Sequence, residues 1–75
     1  MATVDKQALA DFGSLVRKSR EALGVTQQEA SDVLEISRSY YTHIENGSKN
    51  VPILLAIKIC NYYKIDFNEF TRKYL

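Results

Sequence analysis

Arg38, Ser39, Thr42, His43 and Asn46 carry the most distinctive chemistry in this 75-residue chain. Their spacing repeats at helical intervals, so a helix through them would gather all five on one polar face. An arginine there can bridge O6 and N7 of guanine, and serine or threonine hydroxyls can pair with several bases. The other four have short side chains that allow close approach to a surface. Polar helical faces in general are merely solvated. Here a very short turn precedes the segment, and the polar loop after it holds Ser48 and Lys49. Both features favour recognition over plain solvation. Catalysis has little support. His43 is the sole histidine, with no nucleophile at a defined spacing and no carboxylate placed to orient it. Cys60 is the sole cysteine, which excludes an intrachain disulfide and a cysteine metal cage. It falls on an apolar stripe and is expected to pack. There is no glycine-rich phosphate loop. The chain is expected to have no catalytic residue, no metal, no cofactor and no enzymatic activity.

Composition bounds what can position that face. Leu, Ile, Val and Phe give 21 of 75 residues and the formal charge is +1, so the chain is expected to fold as one small domain, 1–75. The core is marginal at this length, which favours well-packed helices and a partner subunit. No apolar run approaches the ~18 residues of a membrane span, and the N-terminus lacks a secretory pattern, so a cytoplasmic protein with no membrane partner is expected. Charge is unevenly spread. Residues 21–35 carry Glu21, Glu29, Asp32 and Glu35 without a base, whereas residues 36–64 carry Arg38, Lys49, Lys58 and Lys64 against Glu45 alone. That basic sector suits a phosphate backbone.

The pattern predicts an all-α fold of five helices. The first spans about Asp5 to Leu23, with Phe12, Val16 and Leu23 on one stripe and Gly24 as its stop. Thr26-Gln27-Gln28-Glu29 is a capping box opening a second helix that buries Ala30, Val33 and Leu34 and ends near Glu35. Ser37 caps a third helix reaching Asn46, with Ile36 placed to staple onto Tyr41, and Gly47 stops it. Pro52 opens a fourth, whose Ile53, Leu55, Ala56, Ile57, Ile59, Cys60 and Tyr63 make it the most buried element by expectation. Asp66 with Glu69 marks the fifth, stapled by Ile65 and Phe70. The second and third helices are too tightly joined to lie antiparallel, so they must cross steeply as a helix-turn-helix. With Tyr41 and Ile44 turned to the core, the polar face of the third helix points outward, as a recognition helix requires.

Val25-Thr26-Gln27-Gln28-Glu29-Ala30-Ser31 through Ile36-Ser37-Arg38-Ser39-Tyr40-Tyr41-Thr42-His43-Ile44-Glu45-Asn46-Gly47 resembles the XRE-type helix-turn-helix of lambda repressor and Cro proteins. The resemblance covers about residues 9–70 and includes Lys64 to Phe70, leaving residues 1–8 as an N-terminal extension. It implies a compact five-helix lambda-repressor-like domain that dimerises on near-palindromic double-stranded operator DNA and controls transcription. By the resemblance, Arg38, Ser39, Thr42 and His43 would face bases. Gln27 would bond a phosphate and brace the recognition helix. Asn46, Ser48 and Lys49 would bind phosphate, joined by backbone N–H groups at the helix start beside Thr26. Arg17 and Lys18 are further phosphate candidates, with solvated surface charge nearly as good an account. The family also pairs Glu45 with Arg20, which lies on the apolar stripe of its helix and needs a partner if buried.

Three residues depart from the family pattern. Ser31 stands where alanine is usual, and Glu35 stands at the turn position usually held by glycine. A left-handed conformation there would cost about 1–2 kcal/mol. Tyr41 replaces the usual isoleucine or valine and calls for a roomier core. Leu54, Tyr62, Tyr74 and Leu75 are apolar residues without an evident core role, and they suggest a homodimer interface. The expected function is a repressor or autoregulator of a phage, mobile-element or small bacterial operon, associated with the nucleoid when bound. Two alternatives stay open: an antitoxin-type DNA-binding protein, with a toxin or antirepressor as further partner, and an interaction module that keeps the fold without DNA binding.

Overall fold

A computed structural model describes residues 2–72. Five helices follow one another without a strand among those residues: α1 (Ala2–Leu23), α2 (Gln27–Leu34), α3 (Arg38–Asn46), α4 (Ile53–Tyr63) and α5 (Phe67–Thr71). The all-α expectation and the helix count are met. α1 starts at Ala2, so the helix runs through most of the stretch read as an extension.

The helix starts follow from local chemistry. Thr26 Oγ1 accepts from the Glu29 N–H at 3.0 Å while Glu29 Oε1 accepts from the Thr26 N–H at 2.8 Å, a complete capping box. Ser37 Oγ accepts from the Tyr40 N–H at 3.0 Å. Asp66 instead accepts from the Asn68 N–H, two residues on, at 3.0 Å. Four helix ends close through a left-handed residue, Gly24 at φ 80° among them. Gly47 at φ 73° suits that role, whereas Glu35 at φ 60° and Lys64 at φ 61° carry a Cβ into the same region. The Glu35 turn is held by Ile36 N–H to Ser31 O at 3.1 Å and by Lys58 from α4. Lys58 Nζ donates to Leu34 O at 3.0 Å and to Glu35 Oε1 at 3.1 Å. Lys58 is half-buried and caps the C-terminus of α2.

The core gathers Phe12 and Val16 from α1, Ala30 and Leu34 from α2, Tyr41 and Ile44 from α3, and Ala56, Ile59 and Cys60 from α4. Burial pushes the Cys60 thiol up, in keeping with a packing role. Gly13 lets α1 and α3 touch: a Cβ there would sit 2.5 Å from the carbonyl oxygens of Ile44 and Glu45. Nothing in the periodicity singled this residue out.

Several expected core residues lie outside it. Val33 is 51% exposed, and Ser31 occupies the buried place. At about 100° per residue, Ala30, Ser31 and Leu34 share one side of the helix while Val33 falls on its rim. The Ser31 hydroxyl tolerates burial by donating to Gln28 O at 2.9 Å. Leu23 is 53% exposed, at the end of α1 where the Gly24 and Val25 N–H groups turn back to the Arg20 carbonyl. Ile53 and Ile57 are 59% and 45% exposed, so α4 buries one face only and is not the most enclosed element.

Candidate nucleic-acid interface

Arg38, Ser39, Thr42 and His43 line one shallow surface depression of about 360 Å³ on α3. Arg38 and Ser39 are exposed, and Thr42 and His43 are half-buried. Arg38 makes no ion pair with any described residue, so its guanidinium keeps its full set of donors for an incoming group. Asn46, Ser48 and Lys49 are exposed at the C-terminal end of the same helix and in the loop that follows.

The opposite side of α3 holds a buried ion pair. Arg20 Nε donates to Glu45 Oε2 at 2.7 Å, with side chains only 15% and 2% exposed. Arg20 Nη1 also donates to Val25 O at 3.1 Å, tying the end of α1 to the start of the motif. Burial alone would raise the Glu45 carboxyl. Hydrogen bonds from Arg20, Tyr41 and Gln27, with the Arg20 charge, outweigh that and hold it below the usual carboxylate range. The hydrogen bond to Glu45 holds the Arg20 guanidinium above its ordinary value. Tyr41 is fully enclosed, and its hydroxyl lies 2.6 Å from that of Tyr63. Burial, with the Tyr63 bond, pushes the Tyr41 phenol up. The roomier core expected around Tyr41 is therefore a hydroxyl pair bridging α3 and α4.

Gln27 connects the two sides. Its Nε2 donates to Glu45 Oε1 at 3.0 Å, and its Oε1 accepts from Thr42 Oγ1 at 3.0 Å. The first turn of α2 is thus fastened to the middle of α3. Two further bonds hold the loop after α3. Tyr40 donates to Asn50 O at 2.9 Å, and His43 Nδ1 lies 2.9 Å from Ser48 Oγ. Sequence reasoning missed both, since neither polar spacing nor periodicity specifies a loop's return path.

The remaining candidates are scattered. The Thr26 hydroxyl is engaged in its cap. Arg17 pairs with Glu21 on α1 at 3.3 Å, both groups exposed, and Lys18 is exposed on the same helix. Leu54 is 78% exposed beside Ile53 and Ile57, whereas Tyr62 is half-buried with its ring 4.7 Å from that of Tyr63. Tyr74 and Leu75 lie outside the described residues.

A short α2, a three-residue turn and an α3 with one wired side and one open polar side define a helix-turn-helix protein. The helix-turn-helix family profile matches residues 16–70. An uncharacterized HTH-type transcriptional regulator of Bacillus subtilis, YqaF, is 34% identical over 55 residues, covering 73% of this chain and 72% of the relative. No solved structure matches the chain significantly. The chain belongs to the XRE-type helix-turn-helix family of DNA-binding transcription regulators.

Proposed function

We propose that the protein represses transcription by docking α3 in the major groove of an operator, with Arg38, Ser39, Thr42 and His43 facing base edges. The observation that carries this reading is the Arg38 guanidinium, without an ion pair among the described residues, at the N-terminal end of an α3 whose inner side is locked by Arg20, Glu45 and Gln27. A reading helix must be rigid before it meets DNA, and its N-terminal residues are those that reach bases. Gln27 braces α3 and keeps one amide N–H for a phosphate. Asn46, Ser48, Lys49 and the backbone at the start of α2 supply further phosphate contacts, with Arg17 and Lys18 more peripheral.

The protein acts as a homodimer in this reading. The exposed Leu54, flanked by Ile53 and Ile57, supports an apolar contact on α4. A two-fold contact would set two α3 helices about 34 Å apart, one helical turn of DNA. Selection from random duplexes, followed by mobility shift at several salt concentrations, tests the reading. Enrichment of a two-fold sequence is the expected outcome. Binding without any sequence preference would reject it. Sedimentation of wild type and Leu54→Glu tests the dimer, with a folded monomer expected for the variant.

A further inference from the structure

The direction of the Thr42 hydrogen bond at the reading surface follows from the buried charge beneath it. Glu45 is a carboxylate and can only accept. The Gln27 amide must therefore turn its nitrogen to Glu45, at 3.0 Å, and its oxygen to Thr42. That oxygen also only accepts, so Thr42 must donate. The second inward partner of Thr42 Oγ1, the Arg38 carbonyl at 3.0 Å, is likewise an acceptor. The single hydroxyl hydrogen of Thr42 is committed inward, leaving lone pairs for the groove.

His43 is not set in the same way. Ser48 Oγ lies 2.9 Å from His43 Nδ1 and 3.4 Å from the His43 carbonyl, which already accepts the Ser48 N–H at 3.0 Å. Either ring nitrogen can carry the proton there, so His43 adds no fixed polarity to the face.

The geometry points to a fixed polarity at Thr42, whose hydroxyl can only accept from the groove, beside an Arg38 that can only donate. Acceptors pair with the exocyclic amino groups of adenine N6 and cytosine N4, and donors pair with guanine O6 and N7 or thymine O4. Thr42 therefore selects an amino base, adenine or cytosine, on the strand it faces, and Arg38 selects guanine. This rests on the DNA-reading role of α3 proposed above and specifies what that role selects.

The test uses the full chain in binding-site selection, with wild type, Thr42→Val and Thr42→Ala compared. The operator position that both variants alter identifies the base read by Thr42. The expected result is an amino base over a keto base by about two- to tenfold at that position in wild type, the span of one net hydrogen bond, and equal use in Thr42→Val. Guanine or thymine enriched at the Thr42 position in wild type would overturn the assignment while leaving DNA reading intact. A chain that selects no sequence overturns both.

Discussion

On its inward side α3 presents Tyr41, Ile44 and Glu45, none more than 7% exposed, while on its outward side Arg38 and Ser39 are exposed and Thr42 and His43 half-buried. Both sides are rich in polar groups, yet they use them oppositely. The inner groups find partners inside the chain: Glu45 takes Arg20 and Gln27, and Tyr41 takes Tyr63. The outer groups keep hydrogen-bonding capacity for something outside it. One helix thus separates the chemistry of holding from the chemistry of reading. Gln27 is where the two meet, because its amide touches both Glu45 and Thr42.

The largest effect should come from the inner side. Glu45→Ala strands the Arg20 guanidinium at a site where its side chain is 15% exposed, and should lower unfolding free energy by roughly 3–5 kcal/mol. Pairing Glu45→Leu with Arg20→Met removes both charges and should recover most of that loss. Urea midpoints of the two variants measure the difference. Equal small shifts in both would mean that the inner pair is a surface feature, and the contrast between the sides would collapse.

Acid should act on the same side. The folded Glu45 carboxyl lies below its unfolded value, so the folded state binds fewer protons. The stability it confers is present above the ordinary carboxylate range and is lost as pH falls through that range towards the folded value. Urea midpoints against pH should therefore fall less steeply for Glu45→Gln than for wild type on the acid side. Parallel curves would show that Glu45 titrates as an ordinary surface acid.

Much of this division was legible before any coordinates, for reasons specific to each residue. Caps at Thr26 and Ser37 depend on atoms three residues apart, so their local spelling suffices. The outward cluster was legible because helical spacing fixes direction. Partners were harder. Periodicity separates Ala30 from solvent but cannot rank Ser31 against Val33, because the choice depends on how closely the neighbouring helices approach. Gly13 matters through two carbonyl oxygens on α3, more than thirty residues away in sequence. Lys58 reaches the C-terminus of α2 only after α4 has docked. These are long-range consequences of packing, and no local pattern encodes them.

The residue between the two sides offers a sharper test. Gln27→Ala removes one hydrogen bond from Glu45 and one from Thr42, while Arg20 remains on the carboxylate and the Arg38 carbonyl remains on the hydroxyl. Stability should fall by about 2 kcal/mol, the net value of two typical hydrogen bonds. DNA affinity should fall similarly for every sequence if Gln27 also holds a phosphate. A changed sequence preference with normal affinity would move Gln27 from the brace to the reading surface.

The smallest effect on folding should come from the outer side, at Arg38. Its side chain is exposed and makes no ion pair among the described residues, so Arg38→Ala removes no internal contact that the fold uses. Surface replacements of that kind usually stay within about 0.5 kcal/mol. Arg38 is the first residue of α3 after the Ser37 cap, and that cap acts through the Tyr40 N–H, which the substitution leaves in place. Function should respond very differently. Loss of a bidentate guanine contact reduces discrimination at one base pair by about 1–3 kcal/mol, relaxing one position of the operator while the others hold. A urea melt and a binding-site selection on the same preparation would therefore place Arg38 opposite to Glu45, silent in the first and pronounced in the second. A large drop in stability with an unchanged selection profile would assign Arg38 to the fold, and the outward side of α3 would lose its principal reader.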